Sequence, residues 1–187
     1  MSLPRSIGKL KHLRYFSIVR NRNIKRLPDS ICKLQNLQFL SLVGCKELEA
    51  LPKGLRKLIS LRHLAITTKQ PVLPYSEITN LISLTSLNIK SCHNMESIFG
   101  VGGVKFPALK TLHVSKCDSL NSMPLDATNF PELETLTVRR CVNLDLDLWK
   151  DHHEEQNPKL KLKVVSFWCL PQMVGLPQWL QETANYD

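Results

Sequence analysis

The 187-residue sequence has no apolar run approaching the roughly 18 residues that a membrane-spanning helix requires, and its opening MSLPRSIGKLKHLRYF is too basic and too interrupted for a secretory signal. It lacks any Asn-x-Ser/Thr sequon, the acceptor of N-glycosylation in secreted chains. Glycine is scarce at 7 residues and aromatics reach only 6%, which excludes collagen-like and low-complexity chains. There is no GxxxxGK[ST] loop to cradle phosphates and no His-Glu-x-x-His to set two metal ligands on one helical face. The only titratable cluster, DHHEE from Asp151 to Glu155, lies in an acidic insertion and reads as solvated surface. No Ser, Cys or His stands in a context that marks a nucleophile. A soluble chain with no membrane span, cofactor, metal or catalytic centre is expected, with a cytoplasmic address.

What the chain has is leucine in register. One unit, LxxLxLxx(C/N)xxLxxLP, begins at Leu13, Leu37, Leu61, Leu84, Leu109, Leu133 and Leu162, with steps of 24, 24, 23, 25, 24 and 29 residues. The next two anchors of each unit are Phe16 and Ile18, Leu40 and Leu42, Leu64 and Ile66, Leu87 and Ile89, Leu112 and Val114, Leu136 and Val138, Val165 and Phe167. Anchors two apart share one side of a short strand and face a core, while the residues between them face the other way. A second apolar pair closes the unit at Ile24 and Leu27, Leu48 and Leu51, Met95 and Ile98, Leu120 and Met123, Met173 and Leu176. Pro28, Pro52, Pro124 and Pro177 follow and turn the chain into a convex segment.

This pattern predicts an α/β-type repeat, a leucine-rich-repeat solenoid curved as a horseshoe, with a parallel sheet on the concave face and short helical or irregular segments outside. Residues 1–187 form a single domain of about seven repeats. Neither end carries a polar cap, so a fragment of a longer array with apolar edges is expected. Three segments depart from the unit and are expected as surface loops: TTKQPVLPYSEITN from Thr67, FGVGGVKFP from Phe99, and DLDLWKDHHEEQNP from Asp145.

Cys45, Cys92, Cys117 and Cys141 recur at one position of the unit, where the first unit has Asn21. That position is expected to turn inward and donate to carbonyls of the adjoining coil. The spacing is a structural ladder and does not converge as metal ligands do. Cys32 falls on a convex segment and Cys169 just after the last strand; free thiols fit a reducing compartment.

Charge is unevenly spread. Residues 1–93 carry 16 Lys and Arg against 4 Asp and Glu, and residues 94–187 carry 9 against 12, so a directional contact with an acidic partner is expected.

The passages LPDSICKLQNLQFLSLVGCKELEALPKGLRKLISLRHL and FPALKTLHVSKCDSLNSMP, with Cys in place of Asn, recurrent Leu-Pro, Phe-Pro-x-Leu at Phe106 and Phe130, and the tail GLPQWL, closely resemble the leucine-rich-repeat region of plant coiled-coil nucleotide-binding disease-resistance receptors. The resemblance covers nearly the whole chain. It implies an intracellular immune-receptor module that takes part in recognising a pathogen effector or a host guardee and restrains a nucleotide-binding switch domain. It also implies that a basic N-terminal repeat surface docks on that switch domain. Nucleotide binding itself would lie outside this sequence.

The expected contact surface is the concave face: Tyr15, Ser17 and Val19; Phe39, Ser41 and Val43; His63, Ala65 and Thr67; Ser86, Asn88 and Lys90; Thr111, His113 and Ser115; Thr135, Thr137 and Arg139; Val164, Ser166 and Trp168. Tyr15, Phe39 and Trp168 are candidate aromatic anchors, unless they merely stack on one another. Arg14, Arg62, Lys110 and Lys163 line one border, and Arg20, Lys116 and Arg140 the other. A generic intracellular scaffold is the alternative. Nucleic-acid binding, prompted by a pI near 9.4, is disfavoured because the basic residues are dispersed without interleaved aromatics.

Overall fold

The structure, a computed structural model, describes residues 3–78, 80–98, 105–123, 125, 127–146 and 160–184. Pro124, the glycine loop at 99–104 and most of the acidic insertion, with Asp151 to Glu155, lie outside the described residues.

Where apolar anchors alternate with small or polar residues, the chain forms strands of three to five residues: β1 (Tyr15–Ser17), β2 (Phe39–Leu42), β3 (His63–Ile66), β4 (Ser86–Lys90), β5 (Thr111–Ser115), β6 (Thr135–Arg139) and β7 (Val164–Trp168). They make one parallel sheet in sequence order, each strand pairing with the next. The register is that of the repeat: Leu40 pairs with Leu64, Leu64 with Leu87, Leu87 with Leu112 and Leu112 with Leu136. A parallel pair needs a crossover between its strands. Here each coil of the repeat supplies it, so the leucine-rich-repeat solenoid read from the sequence is the observed architecture.

Burial follows the stack. The anchors of β2 to β6 are sealed, with Leu40, Leu87, Leu112 and Leu136 at 0% exposure. Phe16 and Ile18 in the first coil and Val165 and Phe167 in the last are only half-buried, because among the described residues each is covered by a coil on one side. The second apolar pairs are buried from Ile24 to Met123, but Leu176 departs from the expectation and is exposed. No described coil packs over it.

Every strand but β3 is followed by a residue that reverses the chain. Arg20, Ser91, Lys116, Arg140 and Cys169 have φ between 52° and 62°, and Gly44 has φ 78°. This left-handed conformation is costly for residues with a Cβ, roughly 1–2 kcal/mol each. It persists in the inner coils because the reversed N–H bonds to the neighbouring coil: Arg20 N donates to Val43 O at 2.8 Å, Ser91 N to Ser115 O at 2.8 Å, Lys116 N to Arg139 O at 2.9 Å and Arg140 N to Trp168 O at 2.8 Å. At Gly44 room is short as well, since a Cβ there would lie 3.2 Å from the Arg20 backbone. Gly44→Val is therefore expected to lower the unfolding free energy by about 2 kcal/mol or more, read as a fall in the urea midpoint. Lys116→Gly should stay within about 1 kcal/mol of the parent, because relieved strain offsets the added freedom of the unfolded chain.

The third coil breaks this series, and here the structure corrects the sequence reading. Lys69 occupies its ladder position, and Thr67, expected on the concave surface, is buried at 1% exposure. Its Oγ1 accepts from Gly44 N at 2.9 Å and donates to Lys90 O at 2.6 Å, bridging the second and fourth coils. Thr68, also buried, donates through Oγ1 to Leu48 O at 3.2 Å. Two threonine hydroxyls thus satisfy backbone groups that cysteine and a reversed residue serve elsewhere.

The convex side is built from short 3-10 turns at Arg5–Lys9, Asp29–Lys33 and Leu55–Lys57, a helical turn α1 (Tyr75–Ile78) and a C-terminal helix α2 (Gln178–Ala184). The expected loop around α1 is not simply surface, for Leu73 and Ile78 are buried and close the third coil. Farther along, Phe106 and Phe130 stack with centroids 5.6 Å apart and planes 15° off parallel, at 1% exposure each.

Candidate protein-binding face

The strand residues that point away from the core form three rows running along the solenoid. Parallel in-register pairing dictates this, because equivalent residues of successive coils stand side by side. The first row runs Tyr15, Phe39, His63, Ser86, Thr111, Thr135, Val164. The second is made mostly of small residues: Ser17, Ser41, Ala65, Asn88, His113, Thr137, Ser166. The third contains Lys90, Ser115, Arg139 and Trp168.

At the N-terminal end, Tyr15 and Phe39 stack at 4.4 Å and 7°, and Phe39 meets the His63 ring at 6.0 Å, tilted 43°. The aromatics therefore do stack on one another, yet Tyr15 remains 61% exposed. At the far end the Arg139 guanidinium lies 5.2 Å from the centroid of Trp168, which is equally exposed. Between them, Lys90 is exposed and His113 half-buried. Burial, and then the charge of Arg139, hold the His113 pKa below the usual imidazole value. Ser41 departs from an open contact position and is buried.

The borders divide by charge pairing. On the strand-entry border, Lys110 and Lys163 share Glu134 at 3.5 and 3.1 Å, and hydrogen bonding to Lys163 holds that carboxyl below its usual value. Arg14 and Arg62 on the same border, and Arg20, Lys116 and Arg140 on the other, are exposed and meet no carboxylate among the described residues. The basic end continues outside the concave face into a groove of about 1140 Å³ whose charged lining is Arg5, Arg26, Lys33, Lys53 and Lys57 with Asp29 and Glu49, Glu49 pairing with Arg26 at 2.9 Å; the strand-based reading did not single it out. It lies between the Leu-Pro segments of the first two coils.

The ladder is partly as expected. Cys45, Cys92, Cys117 and Cys141 are fully buried, and Cys45 Sγ donates to Ile18 O of the preceding coil at 3.2 Å. Cys92 Sγ reaches Ile66 O of its preceding coil at 3.9 Å and Lys90 O of its own at 3.7 Å. Two corrections follow. Asn21 is exposed, and its Nδ2 donates to Ile18 O of its own coil at 3.1 Å, because among the described residues no ladder side chain precedes it. Cys117 and Cys141 likewise turn to carbonyls of their own coils, Ser115 O at 3.5 Å and Arg139 O at 3.6 Å. Cys92, Cys117 and Cys141 stand on consecutive rungs of the ladder and influence one another electrostatically. Cys141 pulls the Cys117 pKa down, but Cys92 and burial outweigh it and leave the value at about 12. All six cysteines are free, and only Cys169 is exposed.

Among the described residues no cluster of three or more His, Cys, Asp or Glu is placed to hold a metal ion, and no helix is long and apolar enough to cross a membrane.

Comparison with known proteins agrees with this geometry. Curated protein sequences yield no match. Among solved structures, the leucine-rich repeat domain of the type III effector XopL is similar at 26% identity and a TM-score of 0.67, over 97% of this chain and 62% of that one. The chain thus spans less than two thirds of that structure's length. A family model described as leucine-rich repeat region matches residues 4–185. The chain belongs to the leucine-rich repeat family, whose solenoids are protein-interaction scaffolds.

Proposed function

We propose that this chain is the interaction module of an intracellular plant immune receptor, a single repeat domain that helps recognise a pathogen effector or host guardee and restrains a nucleotide-binding switch domain. Its activity is non-covalent: the solenoid supplies surface, and the partner supplies any chemistry. The observation that carries the reading is the basic N-terminal end, where Arg14, Arg20 and Arg62 stand exposed without carboxylate partners among the described residues. The resemblance of the Cys-bearing Leu-Pro repeats to disease-resistance receptors adds to it.

The decisive experiment is to sequence the reading frame upstream of Met1. A GxxxxGK[ST] loop encoded several hundred codons upstream supports the receptor, and a complete frame without one overturns it. If the loop is found, reversing Arg14, Arg20 and Arg62 to Glu should weaken association with the switch domain supplied in trans by about tenfold or more, most strongly at low salt. Unchanged binding, measured by titration calorimetry across ionic strength, removes the electrostatic docking.

A second reading, a free-standing leucine-rich-repeat scaffold, is favoured by the similarity to the repeat domain of XopL. It predicts an upstream frame with no phosphate-binding loop.

A further inference from the structure

The C-terminal half of the sequence is slightly acidic, yet none of its described carboxylates occupies an outward strand position of the sheet. Three of the described acids of this half pair with basic side chains off that face: Asp118 with His93 at 2.8 Å, Glu132 with Lys161 at 2.8 Å, and Glu134 with Lys110 and Lys163. In the three outward rows, from β1 to β7, there is no Asp or Glu at all, and the two full charges are Lys90 and Arg139. Neither meets a carboxylate among the described residues. The sheet therefore presents only positive charge inward, whatever the sign of the coil that carries it.

The positions of the two cations decide what they can hold. Lys90, Ser115 and Arg139 occupy consecutive rungs of one row. Strands lie about 4.8 Å apart, so the two cationic backbones are separated by roughly 10 Å with a small residue between them. They are not clustered on one point, as an arginine pocket for a single phosphate would be. In an extended peptide, side chains on one face recur about every 7 Å, a spacing that two long, flexible cationic side chains span. Beside them, Asn88, His113 and Thr137 form a floor of polar side chains across β4, β5 and β6. The residues between the cations include no Phe, Tyr or Trp on which nucleic-acid bases would stack.

We propose that the concave face across β4, β5 and β6 binds an extended acidic segment of a partner protein, with Lys90 and Arg139 holding alternate carboxylates and His113, Ser115 and Thr137 lining the bed beneath. This rests on the reading of the solenoid as a protein-binding module and names the chemistry of its occupant.

The test is fluorescence anisotropy of a ten-residue peptide of alternating Gly and Glu bearing a neutral dye, against the same peptide with Gln and a third with phosphoserine in place of Glu. The Glu peptide should bind saturably at low ionic strength and the Gln peptide should not. The Lys90→Ala, Arg139→Ala double variant should lose about tenfold or more of the affinity, while Lys161→Ala, away from the bed, keeps it. Both cationic side chains of the double variant are exposed, and an unchanged thermal melt verifies its fold. The proposal is overturned if the Glu peptide fails to saturate, if the double variant binds as the parent does, or if only the phosphoserine peptide binds. The receptor assignment depends instead on the upstream reading frame, so the two can fail separately.

Discussion

Leu87→Asp is expected to destroy the cooperative unfolding transition of the coils around β4 at neutral pH. Leu87 is fully buried, with Leu64 beside it on one strand and Leu112 on the other. Asp removes the apolar volume and leaves either an unpaired carboxylate or a protonated acid in a site lined by hydrocarbon. The combined loss is about 4 kcal/mol or more, a large fraction of the stability of a domain this size. Solenoid coils are stabilised chiefly by their neighbours, so the damage should centre on β3 to β5 and spread by loss of cover. The introduced carboxyl has a raised folded-state pKa, and the folded state therefore binds the proton more readily than the unfolded one. Stability should partly return as pH falls through that value. Leu87→Met, which keeps volume and polarity, should cost less than about 1.5 kcal/mol. Urea denaturation followed by circular dichroism reads all three, and a Leu87→Asp midpoint equal to the parent's would sink the assigned register.

Phe130→Ala should cost about 3–5 kcal/mol and act from the opposite side of the coil. Phe130 is 1% exposed and stacks on Phe106 of the preceding coil. Truncation removes a large buried side chain and strips Phe106 of one face of its packing. The backbone cannot collapse freely into the gap, because Leu133 N is tied to Phe130 O at 3.2 Å and Phe106 N to Asn129 O at 2.8 Å. Phe130→Leu should recover more than half of the loss, since the cost is one of volume. Equal midpoints for Phe130→Ala and the parent would mean that the convex aromatic pair contributes nothing to holding the two coils together.

Most of the concave side could be read from the order of residues alone. A strand's alternation and a 24-residue recurrence are both local patterns, and in a solenoid the spatial neighbour of a residue is its equivalent one repeat away. The rows Tyr15 to Val164 and Ser17 to Ser166 follow from those two facts. Thr67 was misplaced because the alternation of Leu64 and Ile66 extends through it, whereas the backbone turns it inward to bridge Gly44 and Lys90. The reversed residues could not be recognised, because Arg20, Ser91, Lys116, Arg140 and Cys169 are not types that advertise a left-handed conformation. Nor could the spending of acids on the borders, which depends on side chains more than 20 residues apart, such as Glu132 and Lys161.

Sequence by itself determined the repeat, the parallel stacking, the buried anchors and the excess of positive charge in the first coils, because each is set by composition and periodicity. Only the tertiary structure decided which thiols bond across coils and which within them, how the third coil does without a ladder cysteine, and which cations remain unpaired. Those outcomes depend on the distance between atoms of neighbouring coils, and a linear pattern carries no information at the scale of a hydrogen bond.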